Sequence, residues 1–109
     1  MIQRIYLGEL EELVLMMVAL LSNDAYGVTI VDALKEKAER NISISAVHAV
    51  LHRLEEKRFV KSKMVSGTAE RGGRSKRLFK ITTYGLSTLE DLRERRDKIW
   101  GLISKSSPA

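Results

Sequence analysis

The chain has 109 residues, no cysteine and a net charge of +5. That length makes one small domain and leaves no room for a dinucleotide-binding fold with a substrate domain or for a (β/α)₈ barrel. Without cysteine there is no disulfide scaffold, thiolate metal site or cysteine nucleophile. The longest apolar run, residues 13–21, is nine residues and too short to cross a bilayer. The first ten residues lack the pattern of a signal peptide. A cytoplasmic protein with no membrane partner is the expectation.

The elements follow from hydrophobic periodicity. A first helix is predicted over residues 8–22. Leu10, Leu13, Val14, Met17, Val18 and Leu21 form one face of it, and Leu15, Met16 and Leu20 a second. A helix wet on one side does not need both faces, so this one lies at the centre of the core or also meets a partner chain. A second helix covers residues 26–40, with Ile30, Val31, Leu34 and Ala38 inside and Asn41 as its stop. Ile42-Ser43-Ile44 is long enough only for an isolated bridge strand. A third helix covers residues 45–57, capped by Ser43. Its Val47, Val50, Leu51 and Leu54 face the core and leave Ser45, His48, Ala49, His52 and Arg53 opposite.

After Lys57 the period becomes two. Residues 59–65 and 75–81 read as the strands of a hairpin with a glycine-containing loop. Thr82 or Thr83 caps a last helix that runs to Ser104. It carries a stripe of Leu89, Leu92, Ile99 and Ile103, interrupted by Arg96. A terminal helix of that length has little of so small a core left to cover, so the stripe is expected to meet a second copy.

Charge is unevenly spread along these elements. Residues 1–56 sum to −4, residues 57–80 to +8 and residues 81–109 to +1. The excess positive charge therefore sits in the hairpin, where it points to a polyanion.

The architecture is thus mainly α with a small β-hairpin, in the order α-α-α-β-β-α. That is the layout of a winged helix-turn-helix with a C-terminal dimerisation helix. Residues 1–82 are assigned to the winged helix, 83–104 to the dimerisation helix and 105–109 to a flexible tail. In this layout the third helix enters the major groove of double-stranded DNA and the hairpin reaches phosphates or the minor groove. The expected DNA-contacting residues are Ser43, Ser45, His48, Ala49, His52, Arg53, Lys63, Arg71, Arg74 and Lys76. Lys76 and Arg77 alternate across the strand, so only one of them faces DNA. Contact through either histidine favours the charged imidazole and predicts affinity that rises with acidity. Dimer contacts are assigned to Leu13, Met17, Leu89, Leu92, Ile99 and Ile103.

Other chemistries are poorly supplied. His48 and His52 stand four apart, but no third metal ligand lies nearby in the sequence. The hairpin glycines Gly67, Gly72 and Gly73 lack the Lys-Ser/Thr and helix of a phosphate-cradling loop. Adjacent carboxylates such as Glu55-Glu56 need no special environment. No enzyme, metal or cofactor is expected. The alternative from another class is a winged-helix protein–protein module whose basic surface docks an acidic partner.

Four segments carry a family resemblance: Ala25-Tyr26-Gly27, the run Leu51-His52-Arg53-Leu54-Glu55-Glu56-Lys57, the segment from Gly73-Arg74-Ser75 to Ile81-Thr82, and Thr83-Tyr84-Gly85. In this order the chain resembles the PadR family of bacterial transcriptional regulators over about residues 7–102. The resemblance implies a homodimeric repressor whose last helix packs on the partner's first helix. It also implies a groove there for a small aromatic effector, with Trp100 and Arg96 as the candidate effector-binding residues. Two departures stand out. Val47-His48-Ala49 replaces the frequent Leu-Tyr-Pro, so the operator sequence does not carry over. Arg58 stands where glycine is usual, and a left-handed conformation there would cost about 1–2 kcal/mol.

Overall fold

The computed structural model describes residues 7–66 and 75–106. Its elements are α1 (Glu9–Leu21), a short 3₁₀ turn (Ser22–Asp24), α2 (Gly27–Ala38), α3 (Ile44–Glu56), β1 (Val60–Val65), β2 (Lys76–Ile81) and α4 (Thr83–Ser104). Gly67, Arg71, Gly72, Gly73 and Arg74 lie outside the described residues.

The core forms where α1, α2 and α3 meet the base of the hairpin. Val14, Leu15, Ile30, Leu34, Val47, Leu51, Leu54 and Phe59 are fully buried there. All four residues expected on the inner face of α3 are buried. The second apolar face of α1 divides. Leu15 enters the core, whereas Met16 and Leu20 stay 45% and 61% exposed. Met17, expected at a dimer interface, is 6% exposed and belongs to the protomer's own core. Leu13 packs half-buried against that core. At 100° per residue, Met17 turns inward beside Val18 while Met16 turns out.

Local capping fixes the helix starts. The Ser43 hydroxyl accepts the Ala46 N–H at 3.1 Å, and the Thr82 hydroxyl accepts the Gly85 N–H at 2.9 Å. Such caps satisfy amides that have no partner within the helix. α2 ends at Ala38, earlier than expected, because Glu39 adopts a left-handed conformation (φ 54°) and its N–H bonds back to the Leu34 carbonyl. Arg40 is thereby freed from the helix and pairs with Glu9 of α1. Ile42-Ser43-Ile44 forms no bridge strand: Ser43 caps α3 and Ile44 begins it.

β1 and β2 are antiparallel, in a register running from Val60↔Ile81 to Val65↔Lys76. The hairpin is anchored at a point that sequence periodicity does not show. The Phe79 N–H donates to the Ala25 carbonyl in the α1–α2 turn at 2.9 Å. Arg58, just before β1, has φ 67°, the left-handed conformation that favours glycine. The Thr82 hydroxyl holds it by donating to the Arg58 carbonyl at 2.8 Å. Next to it the Phe59 and Tyr84 rings stack, with centroids 5.0 Å apart. Gly85 completes the junction: a Cβ there would collide with the Phe59 carbonyl.

α4 is packed only over its first turns. Gly85 is buried and Leu89 and Leu92 are half-buried, but every residue from Arg93 to Ser104 is exposed. The radius of gyration is 16.5 Å, against about 13 Å for a compact chain of this length. The difference is what a projecting helix produces.

Candidate nucleic-acid interface

Strand register determines the charge pattern of the hairpin. Residues directly opposite in an antiparallel pair share a face, and faces alternate along each strand. Phe79 and Val60 face the core. The other face therefore carries Lys61, Lys63, Val65, Lys76, Leu78 and Lys80, and all four lysines are exposed. Lys61 stands directly opposite Lys80. Like charges in that position repel, and a polyanion laid across them would remove the repulsion. Alternation assigns Lys76 to the lysine face, on which Leu78 is buried, and Arg77 to the opposite one. Arg77 is turned toward α3: it donates to the Ser62 hydroxyl at 3.0 Å, and that hydroxyl donates to Glu55 at 2.7 Å.

The start of α2 joins the lysine face to α3. The Lys76 ammonium lies 5.6 Å from the centre of the Tyr26 ring. The next residue, Gly27, is buried against α3. A Cβ on Gly27 would stand 2.8 Å from His48 Cε1, 2.9 Å from His48 Nε2 and 3.1 Å from Ile44 Cδ1. Glycine here lets the helices approach until the His48 ring and Ile44 rest on the α2 backbone. Tyr26 and Gly27 thus stand between Lys76 and the first turns of α3.

Ser43, Ser45, His48, Ala49, His52 and Arg53 are all exposed, but they do not point one way. His52 Nε2 lies 3.0 Å from a Glu56 carboxylate oxygen. Arg53, about 140° around the helix from His48, is turned to α1, 3.9 Å from Glu11. The same Glu11 carboxylate accepts a hydrogen bond from Lys57 at 2.8 Å and another from the Gly8 N–H at 2.9 Å. Burial pushes the Glu11 carboxyl up. The Lys57 and Gly8 hydrogen bonds and the charges of Lys57 and Arg53 outweigh that, leaving it below the ordinary glutamate range. Of the expected contacts, then, Ser45, His48, Ala49 and His52 lie away from the core, while Arg53 is held toward α1. Lys61 and Lys80 share the face of Lys63 and Lys76, and Tyr26 and Gly27 lie beside it, though none of the four was among the expected contacts. Period-two parity with Lys63 and Lys76 was the available signal for both lysines.

A groove of about 710 Å³ lies between α1 and α4, walled by Met16, Leu20, Leu89 and Trp100. Trp100 is 66% exposed. Arg96 also lines the groove, and its guanidinium pairs with Glu12; that hydrogen bond and charge raise Arg96 further above its usual value. Among the described residues no group of three or more His, Asp or Glu is placed to hold a metal ion. No helix among them is long and apolar enough to cross a membrane.

Three helices, a basic antiparallel hairpin and a capped last helix define a winged helix-turn-helix of the DNA-binding regulatory class. Solved structures share the fold. A PadR-like transcription factor from Bacteroides fragilis superposes with a TM-score of 0.74 at 22% identity, over 88% of this chain and 87% of that one. A PadR family regulator from Clostridium difficile gives 0.69 at 19% identity, over 90% and 97%. Bacillus subtilis PadR, solved in complex with operator DNA, gives 0.61 at 22% identity, over 76% of this chain and 45% of that one. No curated protein matches the sequence. The model of the PadR-like family of transcriptional regulators matches residues 14–91. The chain belongs to that family, which comprises regulators and not enzymes.

Proposed function

We propose that the chain is a cytoplasmic, homodimeric repressor that binds a pseudo-palindromic operator in double-stranded DNA. The observation that carries this reading is the lysine face, with Lys61 opposite Lys80 and Lys76 joined through Tyr26 to the Gly27–His48 contact. On this reading α3 enters the major groove, Ser43, Ser45, His48, Ala49 and His52 meet bases or the flanking backbone, and Arg53, turned toward α1, is limited to the flanking backbone. Lys63, Lys76, Arg71 and Arg74 neutralise phosphates, and Arg58 adds a further phosphate contact. The operator complex of the Bacillus subtilis relative supports the DNA partner.

Homodimerisation is supported by the exposed Ile99, Trp100, Leu102 and Ile103 of α4 and by Met16 and Leu20 of α1. Such a face needs a covering, and a twofold pair would set two α3 helices about 34 Å apart along a duplex. A small aromatic effector is proposed for the groove containing Trp100 and Arg96. Quenching of Trp100 fluorescence by planar aromatic compounds tests it, and no response across a broad panel overturns it.

Selection of duplexes from a random pool, followed by salt-titrated binding, tests the DNA reading. Neutralising about six to ten phosphates gives a log–log salt slope of about −5 to −9. Arg71→Ala with Arg74→Ala should weaken all duplexes alike and flatten the slope, whereas His52→Ala should change sequence preference. Binding to an acidic protein in preference to every duplex would favour the docking-module alternative.

A further inference from the structure

Ile44 is the first residue of α3 and is 41% exposed, whereas the other large apolar side chains of that helix, Val47, Val50, Leu51 and Leu54, are buried. β-Branched residues are not favoured helix formers, and Ser43 already supplies the cap. Nor is Ile44 free to turn away. Its Cδ1 would lie 3.1 Å from a Cβ on Gly27, so the backbone of α2 backs the side chain. It stands one turn before His48 and two before His52, beside exposed Ser45. The result is an aliphatic surface, braced from behind, at the leading end of a helix whose other outward groups are polar or small.

The edges of bases in the major groove present hydrogen-bond donors and acceptors with one exception, the C5 methyl group of thymine, which takes apolar contacts. From this we infer that Ile44 is a specificity-determining residue that reads a thymine methyl group in each half-site. The inference rests on the proposed placement of α3 in the major groove. Ile44 discriminates by burying its own exposed carbons against that methyl, so removing the methyl alone removes the preference, with base pairing intact.

The test uses the full chain and duplexes selected from a random pool. Each thymine of a selected duplex is replaced singly by deoxyuridine, and Kd is measured by fluorescence anisotropy. Loss of one buried methyl contact is worth about fourfold in affinity. One position per half-site should therefore weaken wild type about fourfold. Ile44→Ala should bind the thymine and uracil duplexes equally, at about the affinity wild type has for the uracil duplex. Ile44→Val should fall between. The wild-type measurements need no variant, and a circular dichroism melt confirms that the variants fold. The inference is overturned if no thymine is methyl-sensitive, if the selected duplexes contain no thymine in the half-sites, or if Ile44→Ala retains the same sensitivity. Wild type that retains no duplex at all would instead overturn the DNA-binding reading.

Discussion

α3 and the distal half of α4 are both amphipathic helices, and the protomer treats them differently. Val47, Val50, Leu51 and Leu54 of α3 disappear into the core. Ile99, Trp100, Leu102 and Ile103 of α4 remain 49–66% exposed. The two stripes look alike in sequence; what separates them is supply of apolar surface. α1, α2 and the hairpin face α3 on its inner side. Past Leu92 the apolar side chains of α4 stay exposed, although Arg96 still pairs with Glu12 of α1. One helix is covered by its own chain; the other keeps its stripe exposed in the protomer, which is what the proposed homodimer would cover.

Truncation should separate them most sharply. Leu51→Ala should cost about 2–5 kcal/mol of folding stability, read by urea denaturation. Ile103→Ala should cost the protomer less than about 1 kcal/mol and instead shift the sedimentation profile toward monomer. A large loss of protomer stability from Ile103→Ala would break the comparison.

The proximal end of α4 belongs with α3, and Gly85 shows why. Adding a methyl group in Gly85→Ala drives it into the Phe59 carbonyl, which should cost about 1–3 kcal/mol and lower the melting temperature. Gly101→Ala, where nothing lies within 4 Å, should leave stability unchanged or slightly higher.

A smaller effect is expected where α1 meets the end of α3. Glu11→Gln should lose about 1 kcal/mol at neutral pH, because Lys57 and Arg53 lose their shared carboxylate. Its folded-state value lies below its unfolded one. The contribution is thus present above the ordinary glutamate range and disappears as pH falls through the folded value. Stability curves of wild type and variant should converge in acid, and a constant gap down to full carboxylate protonation would contradict the assignment. The smallest change should be a gain: Arg58→Gly relieves the left-handed conformation by about 1 kcal/mol, measured by thermal melting, while salt-titrated DNA binding reports whether the lost guanidinium touched phosphate.

Much of the fold is written in short-range pattern. Ser43 and Thr82 announce their helices because a hydroxyl can cap only the turn beside it. The inner face of α3 follows from spacings of three and four, and the hairpin from alternation. Alternation also contained the shared face of Lys61, Lys63, Lys76 and Lys80, once a register was known. By contrast, spacing could not say that Leu15 is buried and Met16 exposed, since both belong to an apolar stretch and the choice depends on what packs alongside. Nor could it show that Arg53 turns to Glu11, or that Arg96, which interrupts the α4 stripe, pairs with Glu12.

Composition, charge placement and residue periodicity thus determined by themselves the order of four helices and a hairpin, and that the cationic excess resides in the hairpin. Those properties depend on neighbours within a turn or two of the chain. Tertiary structure alone decided that the Ala25 carbonyl anchors β2, that Gly27 seats Ile44 and His48, and where α4 runs out of protomer to cover. Each of these depends on the distance between backbones far apart in sequence, and close packing sets that distance to within the size of one methyl group.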